Sequence, residues 1–267
     1  MPLATVSNCN TSLIEGKTVT KNIYCGGYGH KMKRKLGFYI LLFLPFAIHS
    51  QSFSDSFFVF RDTVYLQNRN LQETMGLYTV AKQDIENSFT GADLYLAFSH
   101  CEYLMGLFFR AEEQDNEAAS YFEQGKAWAE DSLKLRPTSE GYRFLGANIA
   151  FLCDIRRSYG LLNYGKIQVN AKKAIELDPD NLAAHYLIAA QYVFAPWPLG
   201  NVKKGAALLE EITRQNYLSM NKENLFNLYL TLEAACLKQK KTQEAQIWHE
   251  RASALYPTNN FISLLMK

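Results

Sequence analysis

The sequence predicts an all-α protein, a solenoid of helical hairpins in about four repeats with capping helices at both ends. Three observations carry that class. From Asp93 onward the chain is a succession of helix-length segments with 3.6-like apolar spacing, and no stretch alternates with a period of two. LKLRPTS at 133–139, IELDPDN at 175–181 and SALYPTN at 253–259 are one motif written three times. Pro137 to Pro179 is 42 residues and Pro179 to Pro257 is 78, twice 39, so a copy lacking proline is expected near Tyr217–Asn221. Two helices fit each period, as in stacked hairpins.

Taken in order, residues 53–92 read as N-terminal capping helices with an irregular pattern, and 93–267 as the repeat domain. Each Pro motif is helix punctuation: the proline cannot continue a helix, and Ser139, Asn181 and Asn259 after it are expected caps for the next. In the first repeat Gly106 lies in the first helix and Ala118-x3-Phe122-x2-Gly125 in the second, which runs long to Leu135. The second carries Tyr142-x2-Leu145-Gly146-x2-Ile149 and closes on Ala171-x2-Ala174-x4-Pro179. The third carries His185-x2-Ile188-Ala189-x2-Tyr192 and Gly205-x3-Leu209-x2-Ile212. The fourth carries Tyr229-x2-Leu232-Glu233-x2-Cys236 and Ala245-x3-His249-x2-Ala252-x4-Pro257. Small residues recur where two helix backbones must approach, flanked by Leu, Ile and Tyr that fill the groove. Phe261–Met266 reads as a final cap.

From Asp93 to Asn259 these positions resemble the tetratricopeptide repeat family, with departures at Glu233 and His249. The resemblance implies hairpins whose first helices line a concave face, and a protein partner bound there. The turn APWPLGN at 195–201, with Lys204-Gly205 beyond it, resembles more loosely the periplasmic T-components of TRAP transporters. That likeness implies a helical channel holding an apolar or carboxylate ligand beside a solute-binding subunit.

Residues 32–50 have the three parts of a signal peptide: Lys33, Arg34 and Lys35, the apolar run Gly37–Ile48, and Ser50 as the cleavage residue. Twelve apolar residues span about 18 Å as a helix, short of a ~30 Å bilayer core, so cleavage is favoured over a retained anchor. Residues 1–31 before this leader are expected to be untranslated or disordered, with Met32 as the start. The reading places the protein outside the cytoplasm, in a bacterial periplasm, touching a membrane only through an uncleaved leader. Beyond residue 50 remain 22 Lys/Arg and 25 Asp/Glu, a net charge of about −3 that does not suit nucleic acid. Cys101, Cys153 and Cys236 are an odd, widely spaced set, expected as small buried apolar residues, with one disulfide as the alternative.

No catalytic, cofactor or metal-ligand pattern emerges. His100, His185 and His249 have no ligating spacing; His185 and His249 take aromatic positions of the repeat and are expected to pack, and His100-Cys101 makes a poor acid–base pair. Glu112-Glu113 and Glu210-Glu211 are expected on solvated helix surfaces. One step past the packing aromatics, Arg143, Tyr186 and Leu230 should face the concave side, followed one to two turns later by Phe151, Val193, Phe194 and Leu237. Arg143 is expected as a solvated charge or as the partner of a carboxylate. Trp197 is expected either to plug helix ends or to touch a ligand. An open polar groove would favour a protein-binding scaffold; an enclosed channel walled by Tyr186, Phe194 and Phe151 would favour a small ligand.

Overall fold

The computed structural model describes residues 52–265; the expected leader and the segment before it lie outside them. Among the described residues there is no strand, and the chain forms five helical hairpins and a short last helix. The hairpins are α1 (Asp55–Leu66) with α2 (Leu71–Ser88), α3 (Gly91–Ala111) with α4 (Asp115–Leu135), α5 (Ser139–Ile155) with α6 (Arg157–Leu177), α7 (Leu182–Phe194) with α8 (Val202–Thr213), and α9 (Lys222–Lys238) with α10 (Thr242–Leu255); α11 is Phe261–Leu265. The proline-free boundary expected near 217–221 is a 3₁₀ turn, Tyr217–Ser219, followed by the cap Asn221.

The caps explain most boundaries. Ser54, Asn70, Asn181, Asn201 and Asn221 each accept a hydrogen bond from the backbone N–H three residues on, satisfying one of the orphan donors of a first turn. After Pro137 the cap is Thr138 and not Ser139. The Ser139 hydroxyl instead donates to the Ala174 carbonyl (2.8 Å), stitching the start of α5 to the end of α6. Close approach within a hairpin uses missing side chains: a Cβ on Gly106 would stand 2.6 Å from the Phe122 ring. Gly200 ends the 195–201 turn, where a Cβ would meet the Ala195 carbonyl oxygen at 2.0 Å. The three described cysteines are free and buried.

The first helix of each hairpin faces inward and the second outward; α3, α5, α7 and α9 touch in succession and α1 continues the row against α3. The row then closes on itself. Tyr65 of α1, fully buried, stacks on Tyr256 (5.0 Å between rings) and meets Phe226 edge-on (5.5 Å). Asp62 accepts from Tyr256 Oη (2.8 Å) and pairs with Lys222 (3.1 Å). Asn227 donates to Tyr65 Oη (3.0 Å), Asn259 to the Tyr65 carbonyl (2.6 Å), and the Asn260 amide to Gln67 (2.8 Å). The N-terminal pair of helices is therefore a full hairpin whose inner member is the seam of a ring, where the sequence suggested a cap over one end.

Candidate functional site

Within the row of inner helices, α3, α5, α7 and α9 wall a cavity of about 440 Å³ on the concave face. Its wall is mostly apolar, from Leu107, Ala147, Phe151, Leu187, Phe194 and Leu230, with Phe261 of α11 reaching in. The inner helices run in parallel, so their starts gather at one end of the cavity and their ends at the other. Arg143 and Asn224 mark the end formed by helix starts; Arg110, Asp154, Phe194 and Lys238 mark the end formed by helix ends.

Around the first end lies a buried polar cluster. Arg143 is buried, holds Glu140 through Nε (2.9 Å) and Nη2 (2.7 Å), and lays its guanidinium 3.8 Å from the centre of the Phe144 ring. No hydrogen bond from its Nη1 is found among the described residues. His100 Nε2 donates to Glu223 Oε2 (2.8 Å), joining α3 to α9 across the ring with both side chains buried. Burial pushes the Glu223 carboxyl up, but the neighbouring imidazole, Arg143 and Arg61 outweigh it and leave it below the usual value. Tyr186 bonds Thr231 Oγ1 through its hydroxyl (3.0 Å), bridging α7 and α9 beside the cavity. At the far end Arg110 pairs with Asp154 (2.9 Å), and Lys238 donates to the Val193 carbonyl (3.0 Å).

Of the residues singled out from sequence, Arg143, Phe151, Tyr186, Phe194 and Leu230 line this one cavity. Val193 does not: it is packed with Ala189, Leu209 and Leu232 between hairpins, because one residue's rotation turns it from the inner face toward α8. Leu237 is likewise absent from the lining. Trp197 is 90% exposed, so it neither plugs a helix end nor reaches the cavity. Arg143 is no solvated charge, since the ring buries it among α3, α5 and α9. His249 is not a packing residue either: half exposed, it bonds the buried Glu233 (3.0 Å), so the two departures from the repeat pattern are partners. His185 is partly exposed and bonds the Pro179 carbonyl (3.0 Å).

Sequence reasoning passed over Glu223, Asn224 and Asn227, which occupy the first two turns of α9. The KEN and N spacing there reads as an ordinary solvated helix start, and only ring closure reveals that it faces α1 and α3. No group of His, Cys, Asp and Glu among the described residues is arranged to hold a metal ion. No helix among them is long and apolar enough to cross a membrane.

No family model matches the chain, and no curated protein does. Among solved structures it is similar to a Podosopora anserina protein described as a kinesin light chain of nearly identical TPR-like repeats, at 17% identity over 75% of this chain and 92% of that one, with a TM-score of 0.37. At that level the likeness bears on neither ligand nor partner; the assignment to helical-hairpin repeat proteins rests on the five stacked hairpins themselves. The T-component likeness of the 195–201 turn gains no support from these comparisons.

Proposed function

We propose that this chain is a non-catalytic binding scaffold whose ring of inner helices holds a small, mainly apolar molecule bearing a carbonyl or carboxylate. The cavity carries this reading. Its volume falls in the range of small-molecule sites, and an apolar wall with a few convergent polar groups is the usual composition of such sites. A folded protein domain does not fit inside. The unbonded Nη1 of Arg143, with the Asn224 and Asn227 amides, offers donors to one polar end of a ligand. Native mass spectrometry of the purified protein, followed by denaturing extraction, is expected to reveal a retained small molecule. A chain without adduct, whose melting temperature no medium-chain carboxylic acid or its methyl ester raises, would sink the reading.

A protein partner on the outside of the ring is the second reading. Leu135 and Leu177, each two residues before a Pro of the repeated motif, are more than half exposed at the ends of successive outer helices. Charge substitution of both should then abolish capture of a defined partner while sparing the cavity. We also propose export through the leader at 32–50, for which N-terminal sequencing beginning near Gln51 is the expected result and a chain starting upstream of Met32 the opposing one.

A further inference from the structure

The edge of the ring where inner helices end and outer helices begin carries apolar side chains that no described residue covers. Trp197 is 90% exposed, Leu161 79% and Leu162 83%, with Leu199 about half exposed. Hydrogen bonds place them together: Gln191 of α7 donates to the Tyr164 carbonyl of α6 (2.8 Å), so the second turn of α6, with Leu161 and Leu162, lies level with the end of α7 and the turn that carries Trp197 and Leu199. Lys238 bonds the Val193 carbonyl and thereby sets the end of α9 at the same level.

Along the three hairpins α5–α10 this edge is also basic, whereas its α3–α4 turn carries Glu112, Glu113, Asp115 and Glu117. Arg157, Lys203, Lys204 and Lys240 are exposed on it, with Lys241 bound to Glu244 and Asp154 to Arg110. Between the helix ends of these three hairpins, basic residues outnumber acidic ones, although the chain beyond residue 50 is net acidic. The opposite edge, where Glu176, Asp178 and Asp180 stand, has the reverse balance.

We propose that the α5–α10 arc of this edge docks on an anionic lipid bilayer, with Trp197, Leu199, Leu161 and Leu162 entering the headgroup layer and the cations of that arc facing lipid phosphates. A protruding indole with leucines, rimmed by Lys and Arg, matches the two components of interfacial binding: burial of apolar area and attraction to negative lipid. The docking stands apart from the cavity reading; where both hold, the end of the cavity at Phe194, Asp154 and Lys238 opens toward the lipid.

The test uses the full chain, vesicles of neutral phosphatidylcholine, and vesicles containing phosphatidylglycerol. Because the apolar run at 37–48 can itself engage lipid, the readout is the tryptophan emission of the native chain minus that of Trp197→Phe. The expected result is a blue shift and quenching by brominated lipid on anionic vesicles, absent on neutral ones and reversed by high salt. A triple Arg157→Glu, Lys203→Glu, Lys240→Glu variant should weaken the Trp197 signal at least tenfold in lipid concentration. Three outcomes overturn the proposal: no Trp197 signal on anionic vesicles, an equal signal on neutral vesicles or in the triple variant, or a lipid-free dimer that Trp197→Ala dissolves, which makes a second copy the occupant. Loss of a bound small molecule has no bearing on any of these readings, so the two proposals fail separately.

Discussion

Tyr65→Ala should open the seam of the ring. The side chain is fully buried, stacked on Tyr256, edge-on to Phe226 and Phe261, and its hydroxyl accepts from Asn227. Truncating a buried aromatic costs about 3–5 kcal/mol, so a loss of about 4 kcal/mol is expected. For a domain of this size that lowers the melting temperature by roughly 8–16 °C. Tyr65→Phe keeps the rings and loses one hydrogen bond, costing about 1 kcal/mol. Val59→Ala, at an exposed site on the same helix, should stay within about 0.5 kcal/mol. Calorimetry gives the three values, and amide exchange in α1 and α11 locates the damage. If Tyr65→Ala melts within 1 kcal/mol of the native chain, or exchange rises equally throughout, α1 does not close the ring.

Acid should weaken the protein through the buried Glu223 and the partly exposed Asp62 and Glu140, whose carboxyls lie below their ordinary values, against the upward push of desolvation, because each accepts hydrogen bonds from or lies against a cation. A depressed carboxyl contributes stability that is complete above its unfolded value and is lost as pH falls through the folded one; denaturant melts from pH 6 to pH 3 should therefore show falling stability below about 4.5, with a shallower slope in Glu223→Gln. A flat profile, or an unchanged slope in the variant, would refute the assignment. Ala190→Phe projects a ring into the cavity and should abolish any retained small molecule, with a stability change of about 1–3 kcal/mol; an adduct of native mass and abundance in that variant would place the ligand elsewhere. His249→Ala leaves Glu233 buried without a partner and should cost about 1–3 kcal/mol, whereas adding Glu233→Ala, which restores a small residue at that repeat position, should recover most of it; additive losses in the double variant would show the pair to be uncoupled.

The hairpins were legible because their determinants are local. Proline at the motif, asparagine and threonine caps, and glycine or alanine at helix crossings act within a few residues, so spacing alone placed most boundaries. The facing of Arg143, Tyr186 and Leu230 followed from the same periodicity. Val193 escaped it because a 100° step separates inner face from hairpin interior, and a choice counted in turns cannot resolve one residue. Seam residues escaped for a different reason. Nothing near Tyr65 in the chain indicates that its neighbours are Asn227, Tyr256 and Asn259, since those contacts depend on the summed superhelical twist of five hairpins. His100 and Glu223, 123 residues apart, were hidden in the same way.

The buried charges make sense only after closure. In an open solenoid the starts of the inner helices face water, where Arg143 and Glu223 would be solvated and worth little to stability. Once α1 meets α9, the same groups are shut between α3, α5 and α9, and each must find a partner or lose its hydration uncompensated. Arg143 has Glu140, and Glu223 has His100 with Arg61 and Arg143 nearby. Such a cluster is satisfied in one arrangement of the ring and unsatisfied in its slipped neighbours. Tyr65, Tyr256 and Phe226 supply the apolar adhesion of the seam, and the charges fix where along the helices it forms. A shift of one turn between α1 and α9 would carry Asn227 off the Tyr65 hydroxyl. A polar pair that adds little to stability can thus decide the register in which five hairpins close into a ring.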